Sequence, residues 1–237
     1  MLAIKTITRA AALCGAVLLS HFSLAETTAQ YGPWKQEAQD KELDIQVYTR
    51  EVANSELKEF KGITHIKAPV SAFVALLKDT SAATKWMKDV LEYEVLDEVS
   101  ETESLVYAVN GAPWPVTNRD SVIRSIMSQD VSGAVTVQLT GEPESKEKNE
   151  DYVRMPALTG SWTFKPQADG VVEVVYQVHA NPGGSLPTWL VNSIVVETPM
   201  ETLTNLHTKV LEPEYQGKTF AFMQAPQPAA QANVAAE

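Results

Sequence analysis

From Leu43 to Val52 the chain reads LDIQVYTREV, with Leu43, Ile45 and Val47 alternating with polar residues. That period of two predicts a strand with one buried face. Residues 30–41 before it predict a short helix, and Lys58 to Lys67 a weaker strand. At Val70 to Lys78 the period changes. Phe73, Leu76 and Leu77 fall on one helical face, and Pro69 suits the start of that helix. A second short helix is predicted over 82–87. Four strands follow at 92–99, 104–109, 120–128 and 134–140, with turn residues between them. After the solvated loop KEKNED at 146–151 come strands at 152–155, 161–164 and 171–180, the last rich in β-branched residues. Asn181-Pro182-Gly183-Gly184-Ser185 ends it, and a long helix begins near Pro187. Leu190, Ile194 and Val195 start its apolar stripe, which Leu203, Leu206 and Val210 continue. Pro199 within the helix predicts a kink, because proline removes a backbone donor and crowds the turn before it. The layout is α+β: a curved antiparallel sheet with one long C-terminal helix laid across it, able to enclose an apolar cavity.

The two ends of the chain change the picture. Lys5 and Arg9 precede an apolar run from Ala10 to Ser20, no acidic residue occurs before Glu26, and Ser23-Leu24-Ala25 supplies a small-x-small exit. The run falls short of the ~20 residues that span a bilayer as a helix. Residues 1–25 therefore read as a signal peptide cleaved after Ala25, with an uncleaved anchor as the alternative. Cys14 follows Leu13, where a lipobox needs a small residue, so the only cysteine leaves with that peptide. The stability of the remaining chain must then come from its core. A single domain over 26–220 and a disordered tail over 221–237 are expected, since QAPQPAAQANVAAE from Gln224 offers almost nothing to bury. Without Lys5 and Arg9, 17 basic residues face 30 acidic ones, a formal charge of −13. Nucleic acid and lasting adsorption to anionic lipid both demand a basic surface, so neither is a partner. An exported monomer is predicted, periplasmic or secreted, whose contact with membranes is transient.

Three motifs carry a family resemblance. The first is Asp79 with Trp86 in LLKDTSAATKWM; the second is Ala112 to Asp120, APWPVTNRD; the third is Asn181 to Asn192, NPGGSLPTWLVN. Tyr152-Val153-Arg154 adds a weaker echo. In this order over residues 30 to 215 they resemble the START (StAR-related lipid transfer) domain, in an exported bacterial-type form. The second motif is closest to the phosphatidylcholine transfer protein branch. The resemblance implies a helix-grip fold holding one lipid-sized ligand between sheet and C-terminal helix. It also implies access through the loops 112–118 and 181–187 and the last helix. Several family members set an acidic residue and an arginine opposite each other in the cavity. Counted from Arg119, that arginine position is Ser125 here, while Arg124 stands one residue early and so on the other strand face. The preceding strand offers Val109 and Asn110. The resemblance thus transfers no headgroup preference.

The candidate ligand contacts are spread over several elements. Trp114, flanked by prolines in a loop, is a candidate gate residue. Arg154 is a candidate polar contact inside the cavity, with a surface strand position as the alternative. Tyr107, Tyr176 and Asn192 could each offer one polar group in an apolar wall. Ile123 and Ser125 on the strand from Asp120, with Leu190 and Ile194 on the last helix, complete the set. Arg119 and Asp120 point to opposite faces and read as parts of a structural hydrogen-bond network. Trp86 and Trp162 read as core. Past residue 25 only His65, His179 and His207 remain, in different elements, with His207 on a solvated face of the last helix. There is no G-x-S-x-G, H-E-x-x-H, metal-ligand spacing or glycine-rich phosphate cradle. A non-enzymatic carrier without metal or cofactor is the leading expectation. A ligand-responsive interaction module and an enzyme for a hydrophobic small molecule stay open. Phospholipid, sterol-like terpenoid, fatty acid and polyketide-like aromatic all remain as ligands.

Overall fold

The computed structural model describes residues 31–224, so the expected signal peptide at 1–25 and the expected tail beyond Gln224 lie outside the described residues. The chain order is β1 (Lys35–Asp40), β2 (Ile45–Arg50), β3 (Glu59–Lys67), α1 (Val70–Lys78), α2 (Thr80–Trp86), β4 (Val90–Ser100), β5 (Glu103–Asn110), β6 (Arg119–Gln129), β7 (Val135–Gly141), β8 (Val153–Arg154), β9 (Ala157–Pro166), β10 (Val171–Asn181) and α3 (Thr188–Lys209). One sheet runs β1-β2-β3-β10-β9-β7-β6-β5-β4, and the short β8 pairs in parallel with β6. All other ladders are antiparallel. With α3 across this curved sheet, the fold is the α+β helix grip expected.

One predicted element is wrong in type. Residues 35–40 form an edge strand, where a helix over 30–41 was expected. The cause is the turn that follows. Asp40 Oδ1 accepts hydrogen bonds from the backbone N–H groups of Glu42 and Leu43 at 2.8 and 3.1 Å, and Asp44 adopts a left-handed φ of 50°. That turn folds residues 35–40 back onto β2, and the Arg50 guanidinium settles 4.3 Å from the Trp34 ring centroid. Pairing overrides the local preference of a Lys-Gln-Glu-Ala segment for helix.

The main core lies beneath the C-terminal half of α3. Leu203, Leu206 and Val210 are buried there with Phe73 and Leu76 of α1, Trp86 of α2, Ile45 and Val47 of β2 and Phe164 of β9. Phe73 stacks on Phe164 with centroids 5.0 Å apart. Trp86 and Trp162 are both buried, as expected of core residues. Asp79 links the sequence neighbours of this core. Its carboxylate accepts from the Ala82 N–H at the start of α2, from Ser81 Oγ and, at 2.9 Å, from the Tyr215 hydroxyl. The Ser81 hydrogen bond is the largest of the effects that hold Asp79 below the ordinary carboxylate range. The folded part also reaches past residue 220. Phe220, Phe222 and Met223 pack against the core, and the Ala221 N–H donates to Glu101 Oε1 at 3.0 Å.

The seat of α3 is unusually close. Pro199, inside the helix, is buried over Gly62 of β3. A Cβ at Gly62 would stand 2.6 Å from Leu203 Cδ1 and 3.3 Å from Pro199 Cβ. The proline ring cannot swing away, and Leu203 is fully buried. One turn further on, His207 is half-buried rather than solvated, with Nε2 2.7 Å from Thr64 Oγ1. Desolvation pushes its pKa below the free value.

Gly62→Ala is therefore expected to destabilise the fold by about 1–3 kcal/mol, the usual range for overpacking, measured as a shifted urea midpoint. An unshifted midpoint would show that α3 is free to lift. The depressed pKa of His207 sets a pH dependence of definite sign. The folded chain holds fewer protons at this site than the unfolded chain, so stability present above about pH 6.5 is lost as pH falls. Unfolding curves at pH 7.5 and 5.5 should differ less in His207→Asn than in the unaltered chain.

Candidate ligand cavity

Only the C-terminal half of α3 fills the space above the sheet. Its N-terminal half, carrying Leu190, Ile194 and Thr198, roofs a cavity of about 270 Å³. Strand alternation decides what faces it. On β5, Val106, Ala108 and Asn110 point inward; on β6, Arg119, Ser121, Ile123, Ser125 and Met127 do so. The register pairs Asn110 with Arg119, Ala108 with Ser121 and Val106 with Ile123, so these columns form one continuous wall. The opposite wall is aromatic. Trp162 and Tyr176 stack face to face, 3.9 Å apart and 6° from parallel, and Phe60 meets Tyr176 edge-on at 5.1 Å.

Polar groups are few and differently placed. Tyr93 of β4 and Tyr176 of β10 both line the cavity, and neither hydroxyl has a hydrogen-bond partner among the described residues. Burial pushes Tyr93 up to about 12; burial and the nearby Tyr93 raise Tyr176 as well. Both phenols thus stay neutral and can donate to a ligand. Ser121 Oγ is buried without a partner among the described residues. Arg119 lies at the end where the loops at 111–118 and 182–187 meet. The residue is only 7% exposed, and its guanidinium donates to the carbonyl oxygens of Thr117 and Pro182. Burial pushes its pKa down. At the same end Gly111, Ala112, Pro182 and Leu186 line the opening. Gly183 and Gly184 take φ of 68° and 61°, so this turn favours glycine at both positions.

Of the residues singled out from sequence, Ile123, Ser125, Tyr176, Leu190 and Ile194 line the cavity together. Tyr107 and Arg154 do not. They lie on the outer face of the sheet, where the Tyr107 hydroxyl donates to Asp120 Oδ2 at 3.0 Å, while Arg154 donates from Nε and Nη2 to the two Asp120 oxygens at 3.0 and 2.8 Å. Arg154 Nη1 also donates to the Lys146 carbonyl at 2.9 Å, pinning the 142–152 loop over that face. The reason is register: β8 sets Arg154 beside Asp120, and Asp120 has the opposite parity to Arg119 and Ser121. Trp114 is 92% exposed and does not line the cavity. The side chain of Asn192, in α3, lies outside the described residues. Arg124 points outward to Glu142 and Glu103, so it leaves Ser125 on the cavity wall with no arginine beside it on that strand face. Arg119 has its structural hydrogen bonds, and it also faces the cavity. Arg119, Ser121, Tyr93 and Phe60 escaped the sequence reading, though the parity of Ser125 points directly to 119 and 121.

A helix-grip fold closed around one apolar cavity with a few polar groups defines a protein built to hold a small hydrophobic molecule. The START domain family matches residues 21–214, and the chain belongs to that family. An uncharacterised protein of Pseudomonas aeruginosa is 37% identical over 164 residues, 69% of this chain and 81% of its own length. The crystal structure of a STAR-related lipid transfer protein fragment from Xanthomonas axonopodis is 43% identical with a TM-score of 0.68, covering 75% of this chain and 98% of that one. Human StAR-related lipid transfer protein 5 shares the fold at 17% identity, with a TM-score of 0.68 over 78% of this chain and 88% of its own.

The outer ion pair has a clear energetic signature. Asp120 and Arg154 are 0% and 5% exposed, and removing one partner strands the other in the protein. Arg154→Met should cost about 3–5 kcal/mol, and Tyr107→Phe about 1 kcal/mol, both read by urea unfolding. A loss below 1 kcal/mol for Arg154→Met would mean that solvent reaches Asp120 readily.

Proposed function

We propose that this protein is a lipid carrier that holds one hydrophobic ligand in the cavity between the sheet and α3 and exchanges it with membranes. The observation that supports this is the cavity itself, mostly apolar, with an aromatic wall and a buried arginine beneath two glycine- and proline-containing loops. An acyl chain gains about 0.8 kcal/mol per buried methylene in such a cavity, enough for a protein to hold a lipid against water. The name of the Xanthomonas relative, a STAR-related lipid transfer protein, agrees with this reading. Trp114, exposed beside the opening, is suited to brief contact with a bilayer surface, where tryptophan rings rest at headgroup level. The reading places the protein outside the cytoplasm, as an exported bacterial carrier, on the strength of residues 1–25.

Native mass spectrometry of the protein purified from the periplasm without detergent is expected to show one adduct of lipid mass per chain. Ala108→Trp, which places an indole in the cavity, should lose the adduct while still unfolding cooperatively. A bare chain that stays bare after incubation with mixed lipid vesicles would overturn the carrier reading. An extracted molecule that leaves chemically altered would turn it into an enzyme.

A further inference from the structure

Among the described residues, the charged groups lining the cavity are ion-paired except the exposed Glu101 at the rim and the buried Arg119. Lys78 stands 3.9 Å from Glu98, Lys88 2.8 Å from Glu201, Asp89 3.6 Å from Lys88, and Glu103 2.6 Å from Arg124. Arg119 has no carboxylate partner among the described residues, although it is more deeply buried than any of these cations. Its sequence neighbour Asp120 points to the other face and is taken by Arg154 and Tyr107. Two backbone carbonyls orient the Arg119 guanidinium but cannot neutralise it. A guanidinium has five N–H donors, and two acceptors leave the rest without protein partners among the described residues. Ser121 lies two residues along the same strand and on the same face, and its buried Oγ is also unpartnered. An orphaned hydroxyl beside an uncompensated cation is costly in an empty protein. Both costs vanish if one ligand group accepts from both.

We propose that Arg119 and Ser121 form an oxyanion subsite at the loop end of the cavity, which takes the carboxylate or phosphate of an anionic amphiphile. This rests on the carrier reading and narrows its ligand class. The guanidinium supplies the charge and a forked pair of donors, geometry suited to carboxylate and phosphate alike. Ser121 supplies a third, neutral donor deeper in the cavity. The apolar part of the ligand then runs past Ile123 and Met127, along the wall formed by Trp162, Tyr176 and Phe60.

The test compares anionic probes with neutral twins on the full exported chain. One arm uses a fluorescent eighteen-carbon polyene fatty acid and its methyl ester. The other uses phosphatidylcholine vesicles doped with phosphatidic acid or with diacylglycerol. In at least one arm the anionic probe should bind about tenfold or more tightly than its twin, the worth of a charge-assisted pair; which arm responds separates carboxylate from phosphate. Arg119→Gln should weaken the anionic probe by about tenfold and more than the neutral one, Arg119→Lys should recover part of the loss, and Ser121→Ala should weaken it about threefold. Because Arg119 also holds two loop carbonyls, each variant's unfolding midpoint is measured, and Ser121→Ala gives a test independent of those loops. Equal binding of anionic and neutral probes in both arms would overturn the subsite, as would an Arg119→Gln loss shared equally by both twins. If none of the four probes binds, the carrier reading itself fails, a result distinct from loss of charge preference.

Discussion

The architecture depends on how α3 is seated. A sheet of this length, twisted and curved, cannot be covered by one helix along its whole concave face. Gly62 removes the side chain that would hold the helix off, so Pro199 and Leu203 drop onto β3 and the C-terminal half of α3 becomes core. The N-terminal half is then carried over β4, β5 and β6 without touching bottom. The cavity is the space left by that asymmetry, and its roof is the part of α3 least supported by packing. The loops at 111–118 and 182–187 border that roof beside Leu190.

The two faces of β5 and β6 sort the arginines. Arg124 and Arg154 have outward parity or an outer neighbour, and each finds carboxylates: Glu142 and Glu103 for one, Asp120 for the other. Arg119, of inward parity, finds two carbonyls. Val122, Val109 and Tyr107 are buried on the outer face because the 142–152 loop is drawn over them by Arg154. That outer network braces β6, and the register of β6 decides which of its residues face the cavity. The ion pair acts on the cavity from outside it, as a positioning device.

Most of the fold was legible because periodicity is a local property. Strands from Leu43 onward, both short helices and the long helix lie within a few residues of their expected bounds. The exception, β1, is a segment of helix-forming residues that becomes a strand through a turn at Asp40 and pairing with β2. The cavity was legible in part. Ile123, Ser125, Tyr176, Leu190 and Ile194 could be assigned to one wall or another from alternation and helical stripe. Arg154 could not be placed, because β8 is two residues long and its orientation is set by its partner strand rather than by its own pattern. Tyr93 and Phe60 are brought into the cavity by strands distant in sequence, which no local signal reports.

An apolar lining explains why a ligand enters but discriminates poorly among ligands. Moving a methylene from a bilayer into the cavity exchanges one hydrocarbon environment for another, and the gain of about 0.8 kcal/mol holds only against water. Chain length therefore nearly cancels in exchange with a membrane. What does not cancel is the polar end. In the bilayer a headgroup is solvated; on the proposed carrier reading it would meet Arg119, Ser121 and the neutral phenols of Tyr93 and Tyr176, which line the cavity. A headgroup that satisfies these donors recovers its lost hydration, and one that cannot leaves both itself and the protein unpaired. On the proposed carrier reading, selectivity is thus set by a few polar atoms, while the far larger apolar wall supplies retention against water.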